Sequence, residues 1–137
     1  MSYRKQSFYK NKLLIKDINY SYYTSPILNK FEFFHAFLTK DISDLELNLF
    51  KNSFKKANKN CIAKQIHSNK IVFGSELYNQ GQIKADGIIS DESNQNLWIY
   101  TADCMPILIA DKSIRRVAAI HCGRAGLEKH IIKESIY

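Results

Sequence analysis

Short apolar runs, each ended by a turn, most constrain what this chain can fold into. Four follow one another in the second half of the sequence: ADGIIS (85–90), LWIYTA (97–102), MPILIA (105–110) and RRVAAIH (115–121). Their length and composition favour strands, and turn-forming residues lie between them at Asp91–Asn96 and Asp111–Ser113. Many strands with few helices between them predict an α+β fold, not a regular doubly wound sheet.

The rest of the chain adds strands and two helices to this prediction. Strands are also predicted over 18–23, 31–38, 61–67 and 70–73, the last two pairing around a turn at 68–69. Ser43 and Glu46 form a capping box that predicts a helix over 43–58. A second, amphipathic helix is predicted over 127–137, and Gly126 would let it begin close to another backbone.

Length and composition indicate one globular domain over residues 1–137, with 45% hydrophobic residues. No apolar run approaches the roughly 20 residues of a membrane helix. The first residues lack the apolar stretch and cleavage site of a secretory signal. We therefore expect no membrane segment and a cytoplasmic location. Three cysteines, an odd number, favour reduced thiols over a disulfide framework.

Positive charge is concentrated in the first half of the chain. Residues 1–70 contain 13 Lys/Arg against 5 Asp/Glu, whereas residues 71–137 contain 7 against 8. Such a half can attract a polyanion such as nucleic acid, but a solvated lysine surface is the favoured interpretation. The aromatic residues of this half recur at strand period, which is typical of a core, and no nucleic-acid-binding motif accompanies them.

Three side chains with metal-binding chemistry lie at the ends of predicted strands: His67, Cys104 and His121. One thiolate and two neutral imidazoles suit zinc, and three protein ligands leave a fourth position open for catalysis. Their spacing matches no simple zinc-finger pattern. His35, in an aromatic run, is interpreted as structural, and His130, among charged residues, as a surface residue.

A metal-free site is the alternative reading of the same residues. Cys104 would then be a nucleophile activated by His121 or His67, with Asp103 orienting the histidine. This dyad needs one histidine, whereas the metal site needs both. The residues alone leave the two readings open.

Four motifs in a fixed order carry a family resemblance. They are Gln-x-His in KQIHSNKIV (64–72), Ala-Asp-Gly in ADGIISD (85–91), Thr-Ala-Asp-Cys-x-Pro in YTADCMPILIAD (100–111) and His-x-Gly-x-x-Gly in VAAIHCGRAGL (117–127). Together they resemble the laccase-domain, or polyphenol oxidase, family, whose members are regarded as zinc-dependent purine nucleoside phosphorylases. HAFLTK (35–40) is similar to a variant of an early motif of that family, so the resemblance runs from about residue 35 onward.

The resemblance implies mixed β-sheets flanked by helices in a layered α+β sandwich. It implies phosphorolysis of adenosine, inosine and methylthioadenosine, with adenosine deamination as a side activity. The family's metal ligands match His67, Cys104 and His121, with zinc expected and copper possible. Asp86 and Asp103 are candidates by motif position, and Asp103 is the expected catalytic residue, acting directly or through another group. The implied partners are purine nucleosides and phosphate, with no membrane or specific nucleic acid, and the oligomeric state stays open.

Two departures from the family pattern bear on the expected activity. Arg124 and Ala125 stand where the family has tryptophan and arginine, and Lys40 replaces an arginine of the early motif. Arg124 and Lys40 are therefore the candidate substrate-binding cations, although lysine lacks the bidentate fork of arginine. Family members are about twice as long, so we expect the chain to lack a C-terminal part of the domain. An inactive, metal-binding remnant is the resulting alternative.

Overall fold

The computed structural model describes residues 8–15, 18–39, 42, 59–79 and 82–136. The helix predicted over 43–58 and the candidate residue Lys40 lie outside this range. The chain divides into two compact units, residues 1–54 and 55–137, each described here by itself. A single domain over residues 1–137 stays a prediction. Mixed sheets and four short helices make up the described residues, which confirms the predicted α+β class.

The first unit contains a β-hairpin with a short third strand. β1 (Tyr9–Ile15) pairs antiparallel with β2 (Ile18–Thr24), and β3 (Phe37–Leu38) pairs with the other edge of β2. The helix α1 (Pro26–Lys30) lies between β2 and β3. The strand predicted over 31–38 is thus wrong except for its last two residues.

Backbone contacts around His35 explain why that strand is short. The chain leaves α1 through Glu32, whose φ of 58° lies in the left-handed region, which no extended strand adopts. The backbone N–H of Ser25 donates to His35 Nε2 at 2.6 Å, and His35 Nδ1 lies 2.8 Å from the carbonyl oxygen of Phe33. Both ring nitrogens therefore serve the local backbone, in agreement with a structural role.

The second unit holds the remaining elements. Its strands are β4 (Lys59–Ile62), β5 (Ile71–Phe73), β6 (Gly87–Ile89), β7 (Gln95–Trp98), β8 (Met105–Ala110) and β9 (Val117–Cys122). Its helices are α2 (Glu76–Asn79), α3 (Arg124–Glu128) and α4 (Ile131–Glu134). β4 and β7 form a parallel pair, and a mixed sheet has the order β5-β6-β9-β8.

The predicted pairing of residues 61–67 with 70–73 is wrong. β4 pairs with β7 and β5 pairs in parallel with β6, so the two segments belong to different sheets. The connecting loop instead follows the segment before β6: Lys64 and Lys84 form an isolated bridge, and the N–H groups of Asp86 and Gly87 donate to the carbonyl of Lys70. Non-local pairing thus replaces the local hairpin.

Two clusters of buried residues form the core of the second unit. One consists of Cys61, Ala63, Val72, Ala85 and Ile88, covered by partly buried apolar side chains of α2 and β7. In the other, Ile120, Cys122 and Ile131 pack together beneath residues of β5 and β8. Because β9 contributes to the second cluster, its end at residues 121–122 is held by a packed core.

The helix predicted over 127–137 is two short helices. α3 begins earlier than predicted, at Arg124, and His130 separates it from α4 with a φ of 62° and a ψ of 37°. Gly126 has the predicted close approach, because a Cβ there would lie 3.0 Å from the backbone oxygen of Ser68. No helix in the described part of the chain is long and apolar enough to cross a membrane.

We expect the substitution His130→Gly to stabilise the second unit. A left-handed backbone costs a non-glycine residue roughly 1–2 kcal/mol, and glycine removes this cost. Part of the stabilisation is lost again, because glycine has greater conformational freedom in the unfolded chain. The expected net change is an increase of about 0.5–1 kcal/mol in the free energy of unfolding, measured by urea denaturation. His130→Ala, which keeps a Cβ at the same φ, is the control without this gain. Equal stabilities of the two variants would contradict the assigned conformation.

Candidate metal centre

Three side chains from distant parts of the second unit meet at one point. Ligand atoms of His67, Cys104 and His121 all lie within 4.8 Å of one another. The rings of the two histidines are 4.8 Å apart between centroids, at an interplanar angle of 79°. These are the three residues that the strand-end argument selected, and the structure brings all of them together.

The pairing of β8 with β9 places the cysteine and one histidine on the same side of the sheet. Met105 pairs with Cys122 and Pro106 with His121, so continuation of the register sets Cys104 opposite Gly123. Residues two positions apart on a strand point to the same face. Cys104 and His121 are therefore diagonal neighbours on one face, within reach of long side chains.

Gly123 leaves the space in which the ligands approach each other. A Cβ at this position would lie 3.0 Å from Cδ2 of His67 and 3.1 Å from Sγ of Cys104. Any larger residue would press on two of the three ligands. The glycine is thus favoured by packing, because a side chain there would displace these ligands by a few tenths of an ångström, and its φ of −81° shows that no unusual backbone conformation is involved.

His67 lies on the loop between β4 and β5, in a left-handed backbone conformation with φ of 59°. The carboxylate of Asp86 accepts the backbone N–H groups of this loop: Ile66 at 3.1 Å, His67 at 2.9 Å and Ser68 at 2.7 Å. The hydroxyl of Ser68 donates to the same carboxylate at 2.7 Å. Successive N–H groups that converge in this way form an anion-binding concavity, here filled by a side chain of the protein.

Asp86 also contacts the ring of His121. The two residues continue the antiparallel register of β6 and β9, and His121 Nδ1 lies 2.9 Å from Oδ1 of Asp86. Both side chains are buried, with exposed fractions of 4% for His121 and 0% for Asp86. Burial raises the pKa of the carboxyl group, but the hydrogen bonds from His121 and Ser68 outweigh it and keep that pKa below its ordinary value.

A side-chain amide connects the loop of His67 to the segment that leads to Cys104. Gln65 Nε2 donates to the carbonyl oxygen of Tyr100 at 2.7 Å, and the N–H of Tyr100 donates back to Gln65 Oε1 at 2.8 Å. This reciprocal pair resembles one rung of a β-ladder. It holds the two ligand-bearing segments side by side.

The other predicted site residues have less central positions. Asp103 is exposed, and among the described residues its carboxylate has no hydrogen-bond or ion-pair partner. Arg124 is also exposed, and its Nε donates to Glu128 at 3.0 Å. The roles predicted for Asp103, Arg124 and Lys40 stay predictions. Asp86, named from its motif position alone, is the residue whose contacts the sequence did not reveal.

The donor set fits a soft or borderline divalent ion. One thiol sulfur and two imidazoles are typical ligands of zinc, and also of copper. Typical Zn–S and Zn–N distances are about 2.3 and 2.1 Å, so three ligand atoms within 4.8 Å of one another are close to the separation that one ion requires. His67 is exposed, Cys104 is partly exposed and His121 is buried.

The remaining cysteines are distinct from Cys104. Cys61 and Cys122 are buried, with 0% and 3% exposure, whereas Cys104 is partly exposed. Burial raises the pKa of both the Cys61 and the Cys122 thiols. Buried thiols of raised pKa react slowly, because the thiolate is the reactive form.

A family model and several known proteins are similar to this chain. The family model described as multi-copper polyphenol oxidoreductase laccase matches residues 44–137. A purine nucleoside phosphorylase of Campylobacter jejuni is 38% identical over 90 residues, which cover 65% of this chain and 38% of the relative. A purine nucleoside phosphorylase of Synechocystis is 39% identical over 82 residues, which cover 53% of this chain and 30% of the relative. The matched region thus spans well under half of these relatives.

A solved structure shares the fold. The crystal structure of a Neisseria meningitidis protein, described by the family model DUF152, superposes with a TM-score of 0.62 at 21% sequence identity. The match covers 94% of this chain and 55% of that chain. At this identity the likeness confirms the α+β fold alone.

We expect a thiol reagent to modify Cys104 before the other two cysteines. In the metal-free chain under native conditions near pH 7.5, exposure of Cys104 and the raised pKa of the buried Cys61 and Cys122 thiols predict labelling by iodoacetamide about tenfold faster at Cys104. Peptide mass mapping over time measures each rate. Labelling in denaturant provides the control, in which the three rates converge. Preferential native labelling of Cys122 would contradict the placement of these side chains.

Proposed function

The chain belongs to the multi-copper polyphenol oxidoreductase laccase family, and from this premise we propose that its second unit carries the metal centre of a purine nucleoside phosphorylase. One observation carries the proposal: the ligand atoms of His67, Cys104 and His121 lie within 4.8 Å of one another. The relatives named purine nucleoside phosphorylase support the activity.

Zinc is the proposed metal, held by His67, Cys104 and His121. Bound there, it would supply a Lewis acid with one exchangeable coordination position. Copper accepts the same ligands. In the described part of the chain, however, these residues form the one group of three or more His, Cys, Asp or Glu side chains suited to a metal, which favours a single-ion centre over a multi-copper one.

The proposed reaction transfers a pentosyl group to phosphate. An oxygen of phosphate bonds to C1′ of the ribose, the bond from C1′ to the purine nitrogen breaks, and the base leaves with the electron pair and takes up a proton. The proposed substrates are adenosine, inosine and methylthioadenosine. In the proposed side reaction, water adds at C6 of adenosine and ammonia leaves, giving inosine. A cytoplasmic location accompanies this proposal.

Cationic and acidic side chains near the centre suggest how the substrates are held. Arg124 follows Gly123, which lies beside His67 and Cys104, and it is the proposed phosphate contact. Lys40, which lies outside the described residues, is proposed as a substrate-binding cation from its motif position alone. The guanidinium of Arg124 is 93% exposed and pairs with Glu128, so phosphate would compete with a weak surface ion pair. Asp103 precedes Cys104 directly, and its exposed carboxylate is the proposed group for moving a proton to or from the base.

A second candidate function uses the same residues without a metal. Asp86 accepts a hydrogen bond from His121, and His121 lies beside Cys104, which is the order of groups in a cysteine hydrolase. In that mechanism His121 takes the proton of Cys104 and the thiolate attacks an acyl or amidine carbon. The bond to the leaving group then breaks, and that group takes the proton from His121. His67 has no part in it. The convergence of both histidines on the thiol therefore favours the metal centre.

Substitution of His67 distinguishes the two functions. We expect His67→Ala to lower zinc affinity by more than about 100-fold, beyond the 10–100-fold typical of residues that only support a ligand, and to remove phosphorolysis. Zinc affinity is measured by competition with a chromophoric chelator. Phosphorolysis is measured by chromatography of adenosine incubated with phosphate. His130→Ala is a matched control, since His130 is also exposed and left-handed but lies outside the ligand group.

The outcomes separate the alternatives. Phosphorolysis by His67→Ala at the wild-type rate without zinc would contradict the metal centre, because neither the third ligand nor the ion would then be needed. Zinc binding by the wild-type chain without release of adenine would identify a metal-binding remnant. Loss of affinity in His130→Ala equal to that in His67→Ala would contradict the ligand assignment.

A further inference from the structure

We propose that Asp86 is a positioning residue that prepares both histidine ligands before the metal binds. This inference rests on the proposed metal centre, but its first consequence concerns the metal-free chain. Asp86 is buried and accepts hydrogen bonds from two segments at once, the loop of residues 66–68 and the ring of His121.

The contact with His121 determines which ring nitrogen is free. An ionised carboxylate only accepts hydrogen bonds, and the four donors of residues 66–68 occupy Asp86 as an acceptor. The Nδ1 of His121 must therefore carry the proton in its 2.9 Å contact with Oδ1. Since a neutral imidazole has one N–H, the lone pair remains on Nε2, which is then the ligand atom available for the metal.

The contact with the loop determines the direction of His67. A left-handed residue other than glycine costs roughly 1–2 kcal/mol and persists only where surrounding contacts impose it. Here the N–H groups of residues 66, 67 and 68 all point to the Asp86 carboxylate. Without two acceptor oxygens at that point the loop loses the contacts that keep His67 left-handed. Its ring would then turn away from Cys104 and His121.

One carboxylate thus fixes the geometry of two ligands contributed by distant segments. Oδ1 serves His67 and His121 together, while Oδ2 serves Ser68 twice. Asparagine has the same shape but offers one acceptor oxygen. In one orientation the amide NH2 of asparagine would face the N–H of Ser68, which places two donors against each other. In the other it would donate to Nδ1 of His121, so that the ring proton moves to Nε2 and blocks the atom that would bind the metal.

The first test measures the tautomer of His121 in the metal-free wild-type chain. We expect the 15N chemical shifts of the ring to show a protonated Nδ1 and an unprotonated Nε2, with assignment by the loss of the signals in His121→Ala. A proton on Nε2 in the metal-free chain would overturn the proposal. This measurement needs neither metal nor activity, so it decides the point even if the chain catalyses no phosphorolysis.

The second test compares two aspartate-to-asparagine variants. We expect Asp86→Asn to lower zinc affinity by about 10–100-fold, the usual effect of losing a group that supports a ligand. Asp91→Asn is the matched control. Like Asp86, Asp91 accepts hydrogen bonds from the backbone N–H and the hydroxyl of one serine, Ser75. It lies far from the ligands along the sheet, because its neighbour Ser90 bonds to Val117, at the opposite end of β9 from His121. We expect its zinc affinity to equal that of the wild type.

Failure of this proposal and failure of the metal centre give different results. A folded Asp86→Asn chain with wild-type zinc affinity would overturn the positioning role while leaving the metal centre intact. Absence of zinc binding by the wild-type chain would instead remove the metal centre, and the tautomer would still decide what Asp86 does. If Asp86→Asn does not give the circular dichroism spectrum of the wild type, the tautomer measurement alone decides.

Discussion

The buried carboxylate of Asp86 is the contact on which the second unit's candidate centre depends. Burying a charge is unfavourable unless hydrogen bonds replace its hydration, and here they come from the ring of His121, from Ser68 and from three successive backbone N–H groups. The partners belong to a loop and to the end of β9. A single charged group thereby fixes the separation of two chain segments, and with it the relative positions of His67 and His121.

The rest of the centre is organised by packing. The register of β8 and β9 places Cys104 beside Gly123, whose missing side chain leaves room for the thiol and for the ring of His67. Gln65 ties the backbone of Tyr100 to the histidine loop with two hydrogen bonds. Each ligand is thus held in a different way. His67 lies on the loop that surrounds the Asp86 carboxylate, His121 lies at a strand end packed on the core, and Cys104 is placed by the register of β8 with β9. Such support is what useful metal geometry requires.

The sequence predicted the parts of this arrangement that depend on local patterns. The apolar runs predicted β8 and β9 nearly to the residue, and Cys104 and His121 lie at the ends of these strands as predicted. His67 meets them from the loop between β4 and β5, because the strand predicted over 61–67 ends at Ile62. Partner choice was not predictable in this way: β4 and β5 look like a hairpin, yet each pairs in parallel with a strand later in the chain.

Other features escaped sequence reasoning because they depend on conformation or on distant contacts. A left-handed backbone is uncommon at any residue other than glycine, histidine included, so the residue types at 67 and 130 did not predict the loop shape or the break between α3 and α4. The position of Asp86 opposite His121 depends on the pairing of β6 with β9. The strand β1 was missed because Lys10 and Lys12, both exposed, interrupt its apolar residues.

The order of strands in the mixed sheet has a consequence for the way the second unit folds during synthesis. β9 is the last described strand in the chain, yet it lies between β6 and β8. Until it leaves the ribosome, β6 and β8 have no common neighbour and each retains an open edge, the kind of edge that invites aggregation. His121 lies on this closing strand, so the ligand group cannot assemble on a nascent chain whose sheet is still unfinished.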